Sequence, residues 1–133
     1  MNVRQSVPFF MVTNMEEALR FYVDGLGFTK TIEWTPHGRP EWCWLQHGGA
    51  ALMLQEYRED RKPEGTLGLG VSVCFMCDDA LAVYRETKAR GLATSKKPFV
   101  GNNCWVVEFK DPDGHVLYFE SETDAPEESE LDE

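Results

Sequence analysis

The sequence has no apolar run that approaches the ~18 residues needed to cross a bilayer. Its first ten residues, MNVRQSVPFF, also lack the long apolar stretch and small-residue cleavage site of a secretory leader. These two absences predict a protein of the cytoplasm. At 133 residues with 42% hydrophobic content, the chain can bury one ordinary core, so its length favours a single domain.

The sequence has little of what a metal or redox site requires. Cys74 and Cys77 have CxxC spacing, but no second CxxC accompanies them. They lie in or beside an apolar, strand-like run, where their side chains would point to opposite faces. His37 and His47 lie beside glycine in expected turns, and His115 follows another turn, so all three are expected to be solvated. We therefore expect reduced thiols and no bound metal or cofactor.

The 13 basic residues form no Lys/Arg patch suited to phosphate binding, which argues against nucleic acid as a partner. The formal net charge is −10 at pH 7. Seven acidic and no basic residues lie after Ser121, so the rest of the chain carries a net charge of only −3. Because so polar a segment cannot offset its ordering entropy by burying apolar surface, residues 122–133 are predicted to be a disordered acidic tail.

Apolar alternation and turn residues predict the element order βαβββ twice. In the first unit Asn14 is expected to cap a helix that ends near Leu26. The strands of this unit are expected at residues 7–12, 28–34, 41–46 and 50–56. In the second unit the helix is expected at residues 78–90, and the strands at 71–76, 93–97, 103–109 and 115–120.

Matching residues in the two halves indicate an internal duplication. Residues 16–22 and 78–84 share the pattern acidic-acidic-Ala-Leu-x-x-Tyr at an offset of 62. A Cys-Trp pair at residues 43–44 recurs at residues 104–105, at an offset of 61. Two matches at nearly equal offsets, in the same element order, are hard to reconcile with coincidence.

The duplication predicts an α+β fold in which two tandem βαβββ units form a curved mixed-sheet cup, with the helices on its outer face. The units are expected at about residues 5–57 and 70–121. Together they would form one domain over residues 1–121.

Two segments resemble the glyoxalase, bleomycin-resistance and dioxygenase family, also called the vicinal-oxygen-chelate superfamily. VPFFMVTNMEEALRFYVDGLGF resembles its first unit, and VVEFKDPDGHVLYFE resembles its last hairpin. The resemblance covers about residues 5–121. The superfamily includes glyoxalases, extradiol dioxygenases, fosfomycin-modifying enzymes and metal-free proteins that sequester bleomycin-type antibiotics.

The resemblance implies which positions would carry metal ligands. They correspond to Val7, Ser72, Tyr118 and either Leu52 or Leu54, and none of these side chains is a good ligand for a divalent cation. The pattern therefore resembles the metal-free, bleomycin-resistance branch, and no metal site is expected.

A metal-free cup implies a binding site on the inner face of the sheet. Four tryptophans supply surfaces for stacking flat heteroaromatic ligands, although any single aromatic or methionine residue in a strand could equally be plain core. The candidate ligand-binding residues are Phe9, Met11, Trp34, Trp42, Trp44, Ser72, Met76, Trp105, Tyr118 and Glu120.

We therefore expect a homodimer that binds a cationic, aromatic small molecule, as the resistance proteins sequester their antibiotics, with no membrane partner. The alternative is a glyoxalase-like lyase or isomerase, in which Tyr118, Glu120 or Ser72 transfers protons on a small oxygenated substrate. A third possibility is a structural or regulatory module without a small ligand. Binding without catalysis is the expectation that the residues favour.

Overall fold

The chain divides into two compact units in a computed structural model that describes residues 2–133. The units are Met1–Glu64 and Gly65–Glu133, and each has the element order βαβββ. This order confirms the predicted α+β class and the two tandem βαβββ units. No helix within residues 2–133 is long and apolar enough to cross a membrane.

The first unit contains a mixed sheet with the strand order β1-β4-β3-β2. Its elements are β1 (Phe9–Val12), α1 (Met15–Leu19, continued by a π-helical stretch at Arg20–Gly25), β2 (Thr29–Trp34), β3 (Trp42–His47) and β4 (Ala50–Glu56), followed by a 3-10 turn at Glu59–Arg61. Strand β1 runs parallel to β4, and the other neighbours are antiparallel.

Alternation along these strands separates a buried face from an open one. Phe10 and Val12 of β1 are buried, as are Leu52 and Leu54 of β4. On the same face, Cys43 Sγ lies 4.0 Å from the Met15 sulfur of α1. The buried face is therefore the one covered by the helix.

Helix α1 begins where side chains satisfy its free N–H groups. Asn14 Oδ1 accepts a 3.0 Å hydrogen bond from the backbone of Glu17, as the sequence predicts. Glu56 Oε2 accepts a second, at 2.8 Å, from the backbone of Met15. This second contact joins the end of β4 to the start of α1, and no local sequence pattern predicts it.

The second unit contains a mixed sheet with the strand order β5-β8-β7-β6. Its elements are β5 (Ser72–Met76), α2 (Ala80–Ala89), β6 (Phe99–Gly101), β7 (Cys104–Lys110) and β8 (Val116–Glu122). The predicted strand at 93–97 is wrong, because the strand in this position lies further along the chain, at β6. Asp79 caps α2, and Ser121 Oγ accepts a 2.8 Å hydrogen bond from the backbone of Ala80.

The two units share one topology, but the residues that matched in the sequence do not hold equivalent positions in the structure. Asn14 and Asp79 hold the equivalent helix-capping positions, whereas the sequence match had paired Glu17 with Asp79. The two Cys-Trp pairs also fall in opposite phase. Cys43 is on the helix side of its sheet, but Trp105 is on the helix side of the other, opposite Ser121.

The predicted disordered tail at 122–133 is instead paired with the sheet. Glu122 is the last residue of β8. Further along, the tail backbone both accepts from and donates to Val100 at 2.9 Å, and Leu131 donates to the carbonyl of Pro98 at 2.9 Å. Composition misled here because backbone groups along an edge strand pair with another backbone whatever its side chains.

His115 is not a solvated turn residue, as the sequence predicted, but a buried one. Its Nδ1 lies 2.8 Å from Asp111 Oδ2, and both side chains are almost fully buried. The loop at Gly68 packs directly on the imidazole ring. By contrast, His37 and His47 are exposed, as expected.

The Gly68→Ala variant should be markedly less stable than the Gly65→Ala variant. Both glycines have positive φ, +67° and +87°, so alanine strains the backbone at either position. Only at Gly68 would the new Cβ come within 2.7 Å of the His115 ring, whereas nothing lies within 4 Å of it at Gly65. We expect losses in unfolding free energy of roughly 2–4 and about 1 kcal/mol, respectively. Urea denaturation measures both, and equal losses would contradict the packing of Gly68 on His115.

Candidate functional site

The first open face is the face of the first sheet that α1 does not cover. Strand register places Phe9, Met53, Trp44 and Ile32 in one row across the four strands. Met11, Gln55, Trp42 and Trp34 form the next row. Directly paired residues share a face, so five of the predicted ligand-binding residues, Phe9, Met11, Trp34, Trp42 and Trp44, are brought together here.

Several large apolar side chains are exposed together on this face. Phe9, Ile32 and Trp34 are 48%, 55% and 54% exposed. Trp42 and Trp44 are half-buried. The Trp44 indole is oriented by a 2.9 Å hydrogen bond from its Nε1 to Gln46 Oε1. The row of indoles therefore offers a flat, partly preorganised stacking surface.

The second open face is the face of the second sheet opposite α2. One row contains Cys74, Tyr118 and Glu108, and the next contains Met76, Glu120 and Val106. Ser72 continues the same face along β5. The structure thus brings together the remaining predicted residues Ser72, Met76, Tyr118 and Glu120, with Met76 being 68% exposed.

Trp105 departs from the predicted set. It pairs with Val100 and Ser121, both of which are buried on the helix side of the second sheet. Because side chains alternate along β7, Trp105 must point away from the face that carries Glu108. It is therefore not positioned to share a surface with Tyr118 or Glu120.

Leu52 and Leu54 also lie away from the first open face. Both are fully buried on the helix side of β4, so neither occupies the open-face position that the resemblance assigned to a metal ligand. Met53 and Gln55 hold the open-face positions on this strand. A thioether and an amide are weak ligands for a divalent cation, so Met53 and Gln55 do not provide a metal site.

The donor set does not fit the metal that the resemblance implies. Within residues 2–133, no three His, Cys, Asp or Glu side chains are grouped so that they could hold a metal ion. The positions implied by the resemblance carry Val7, Ser72 and Tyr118. Metal content itself stays a prediction, to be measured by elemental analysis.

Cys74 and Glu120 form a contact on the second open face. Cys74 Sγ donates a 3.0 Å hydrogen bond to Glu120 Oε2. Partial burial, followed by the hydrogen bond and charge of Glu120, raises the pKa of Cys74 to about 12. The thiol therefore stays protonated near neutral pH and is a poor nucleophile.

Glu108 is the residue that the sequence reading missed. Its side chain is only 10% exposed, although it lies on the open face. Ser95 Oγ donates to Glu108 Oε1 at 2.6 Å, and Lys96 Nζ lies 3.4 Å from Glu108 Oε2. Tyr118, the directly paired residue of β8, lies beside Glu108 on the same face. A lone acidic residue in the apolar run WVVEF was the available signal.

The pKa of Glu108 is lowered and the pKa of Tyr118 is raised. Burial raises the pKa of Glu108, but the hydrogen bond from Ser95 and the charge of Lys96 outweigh it, so the net shift is downward. Burial and the charge of Glu108 raise the pKa of Tyr118. At neutral pH the carboxylate is therefore ionised and the phenol is protonated.

A protein-family model and a known protein each match most of the chain. The model of the Glyoxalase/Bleomycin resistance protein/Dioxygenase superfamily matches residues 6–119. The uncharacterized protein YetH of Bacillus subtilis (strain 168) is 29% identical over 108 residues, which cover 80% of this chain and 88% of YetH.

Solved structures share the fold. TnmS3, an antibiotic binding protein from Streptomyces sp. CB03234, is 25% identical with a TM-score of 0.67, covering 92% of this chain and 99% of TnmS3. A bleomycin-binding protein solved in complex with bleomycin is 22% identical with a TM-score of 0.65, covering 90% of this chain and 98% of that protein.

The Glu108→Gln variant should be less stable than the wild type at neutral pH, and the difference in unfolding free energy should shrink as the pH falls. The folded pKa of Glu108 is below its ordinary value, so the carboxylate stabilises the fold at neutral pH. That stabilisation is lost as the pH falls below the ordinary value, about 4.3, because the unfolded chain takes up the proton first. Urea denaturation at pH 6 and pH 3 measures the two gaps, with Glu122→Gln, at the exposed end of β8, as the charge control. A gap of the same size at both pH values would refute this role for Glu108.

Proposed function

The chain belongs to the glyoxalase/bleomycin resistance protein/dioxygenase superfamily, and from this premise we propose that it is a metal-free cytoplasmic protein that binds and sequesters an aromatic small molecule. The observation that carries the proposal is the row of indoles on the first open face. Trp34 lies directly beside Trp42 across β2 and β3, and Trp44 occupies the next row. Flat heteroaromatic rings stack well on such a surface.

The relatives supply the ligand class. TnmS3 is described as an antibiotic binding protein, and the bleomycin-binding protein was solved with bleomycin. Both are similar to this chain over nine-tenths of its length. An aromatic antibiotic of the bleomycin type is therefore the first ligand to test, and sequestration is the mode of action that the proposal adopts.

The titratable groups favour binding over catalysis. General acid–base catalysis at neutral pH works best with a group whose pKa lies near 7. The pKa of Tyr118 is raised and that of Glu108 is lowered, so each moves further from neutrality. Cys74, with its pKa near 12, is not an activated nucleophile either. These directions argue against the lyase or isomerase alternative.

The charge of the chain suits a cationic ligand. The net charge is −10, and Glu120 and Glu122 lie on the second open face. Acidic groups on an open face attract a cation both by long-range steering and by local contact. We therefore propose that the ligand carries a positive charge.

Bleomycin should raise the melting temperature of the protein, because a ligand that binds only the native state stabilises it by mass action. The Trp42→Leu variant should weaken binding by roughly tenfold, since it removes one stacking surface. Trp105→Leu is the matched control, because this indole is on the other face of its sheet and should leave affinity unchanged. Isothermal titration calorimetry measures both affinities.

Equal losses in the two tryptophan variants would remove the first open face from the proposal. The absence of any melting-temperature shift with bleomycin-type antibiotics would argue against the antibiotic class. One equivalent of a divalent metal, together with turnover of a small dicarbonyl, would overturn the binding proposal in favour of the enzyme.

We also propose that the protein is a homodimer. All six residues of β2 are exposed, and the exposed Ile32 and Trp34 lie on the open face at this edge of the sheet. A second copy of the chain would cover this apolar edge, and two-fold dimers are the commonest way for soluble proteins to do so.

Ile32→Glu should shift the protein from dimer to monomer at micromolar concentration, because it buries a charge at the proposed contact. Leu69→Glu, at an apolar residue outside the sheet that is 78% exposed against 55% for Ile32, should leave the dimer intact. Light scattering measures the mass of each variant. A monomeric wild type would contradict the homodimer without affecting ligand binding by one chain.

A further inference from the structure

We infer that Glu108 fixes the Tyr118 hydroxyl as a hydrogen-bond acceptor for the ligand, so that the second open face selects molecules that present an N–H or O–H donor, preferably a cationic one. The inference rests on the proposed function, since it names the chemistry of the ligand. Tyr118 is the contacting residue, and Glu108 is a positioning residue that acts through it.

The geometry begins with the strand register. Glu108 on β7 and Tyr118 on β8 are directly paired across the antiparallel ladder and share the open face. Glu108 is held from its far side by Ser95, at 2.6 Å, and by Lys96, at 3.4 Å. Tyr118 is the direct cross-strand neighbour of this carboxylate, and the two groups shift each other's pKa. Glu108 is thereby pinned and almost fully buried, while Tyr118 remains half-exposed.

The direction of the hydrogen bond follows from the protonation states. An ionised carboxylate has no proton and can only accept, so in the hydrogen bond that we infer between the two groups Tyr118 donates its single proton to Glu108. The lowered pKa of Glu108 and the raised pKa of Tyr118 keep the proton on the phenol. What the phenol oxygen then offers outward is lone pairs alone. A ligand group that meets it must bring the proton.

The charges around Tyr118 favour a cationic donor. Lys96 lies against Glu108 and balances its charge. Glu120 is two residues along β8 on the same face, and its carboxylate receives only the neutral thiol of Cys74 in the contacts described. Met76 and Val106, in the same row as Glu120, supply apolar surface. An amidinium or ammonium group on an apolar body matches this combination.

Three small probes separate donor direction from charge: benzamidinium, phenol and anisole. Phenol and anisole are both neutral and flat, but only phenol has an O–H donor. With the full-length protein, NMR titration should give affinities in the order benzamidinium, phenol, anisole. A single hydrogen bond supports a phenol-to-anisole ratio of about fivefold.

Tyr118→Phe should bring the phenol-to-anisole ratio close to one, because the acceptor is removed while the ring remains. Glu108→Gln should lower the phenol-to-anisole ratio below one. The glutamine amide can donate to the Tyr118 oxygen, and the Tyr118 hydroxyl is then released to donate to anisole. Glu120→Gln is the matched control. It removes a charge from the same face, so it should weaken benzamidinium relative to phenol and leave the phenol-to-anisole ratio unchanged.

A phenol-to-anisole ratio that is unaffected by Tyr118→Phe would overturn the inference, as would identical effects of Glu108→Gln and Glu120→Gln. Circular dichroism checks that each variant is folded. If Glu108→Gln does not fold, the Tyr118→Phe result decides alone. If none of the three probes binds but bleomycin still raises the melting temperature, the inference fails and the proposed function stands. If benzamidinium and phenol bind as expected but bleomycin has no effect, the antibiotic class fails and the donor selection stands.

Discussion

Each sheet can pack only one of its faces under its single helix, and the chemistry of this protein depends on that constraint. Side chains alternate along a strand, so covering Leu52 and Leu54 with α1 leaves the intervening Met53 on the open side. The same alternation in the second unit buries Leu117 and Phe119 and leaves Tyr118 facing outward. The open faces are therefore a consequence of how the core is built, and their residues are available for a ligand.

The two open faces differ in character, and the difference supports a division of roles. The first carries indoles and thioethers, which offer stacking and apolar contact with little direction. The second carries the carboxylate of Glu108 beside the phenol of Tyr118, together with a second carboxylate, and these groups offer direction and charge. The pKa of Glu108 is lowered and the pKa values of Tyr118 and Cys74 are raised, all away from pH 7, which is why binding is proposed in place of turnover.

Local patterns in the sequence predicted most elements because the forces involved are local. The Asn14 cap, the apolar helix spacing and the glycine-containing turns act over a few residues, and they placed both helices and seven of the eight strands to within a few positions. The errors concern contacts between distant residues. The tail pairs with β6 through its backbone, and His115 is buried against Asp111 beneath a loop that includes Gly68.

The sequence by itself determined the fold family, the βαβββ repeat, the poverty of metal ligands and the abundance of tryptophan, since these are properties of residue type and order. Only the tertiary structure decided which side chains share a face. A shift of one residue in strand register reverses every side chain, so the sequence could not tell that Trp44 is on an open face while Trp105 is on the helix side. Nor could it pair Glu108 with Tyr118, or bring Ser95 to that carboxylate, because their contact depends on strand register that only the folded sheet sets.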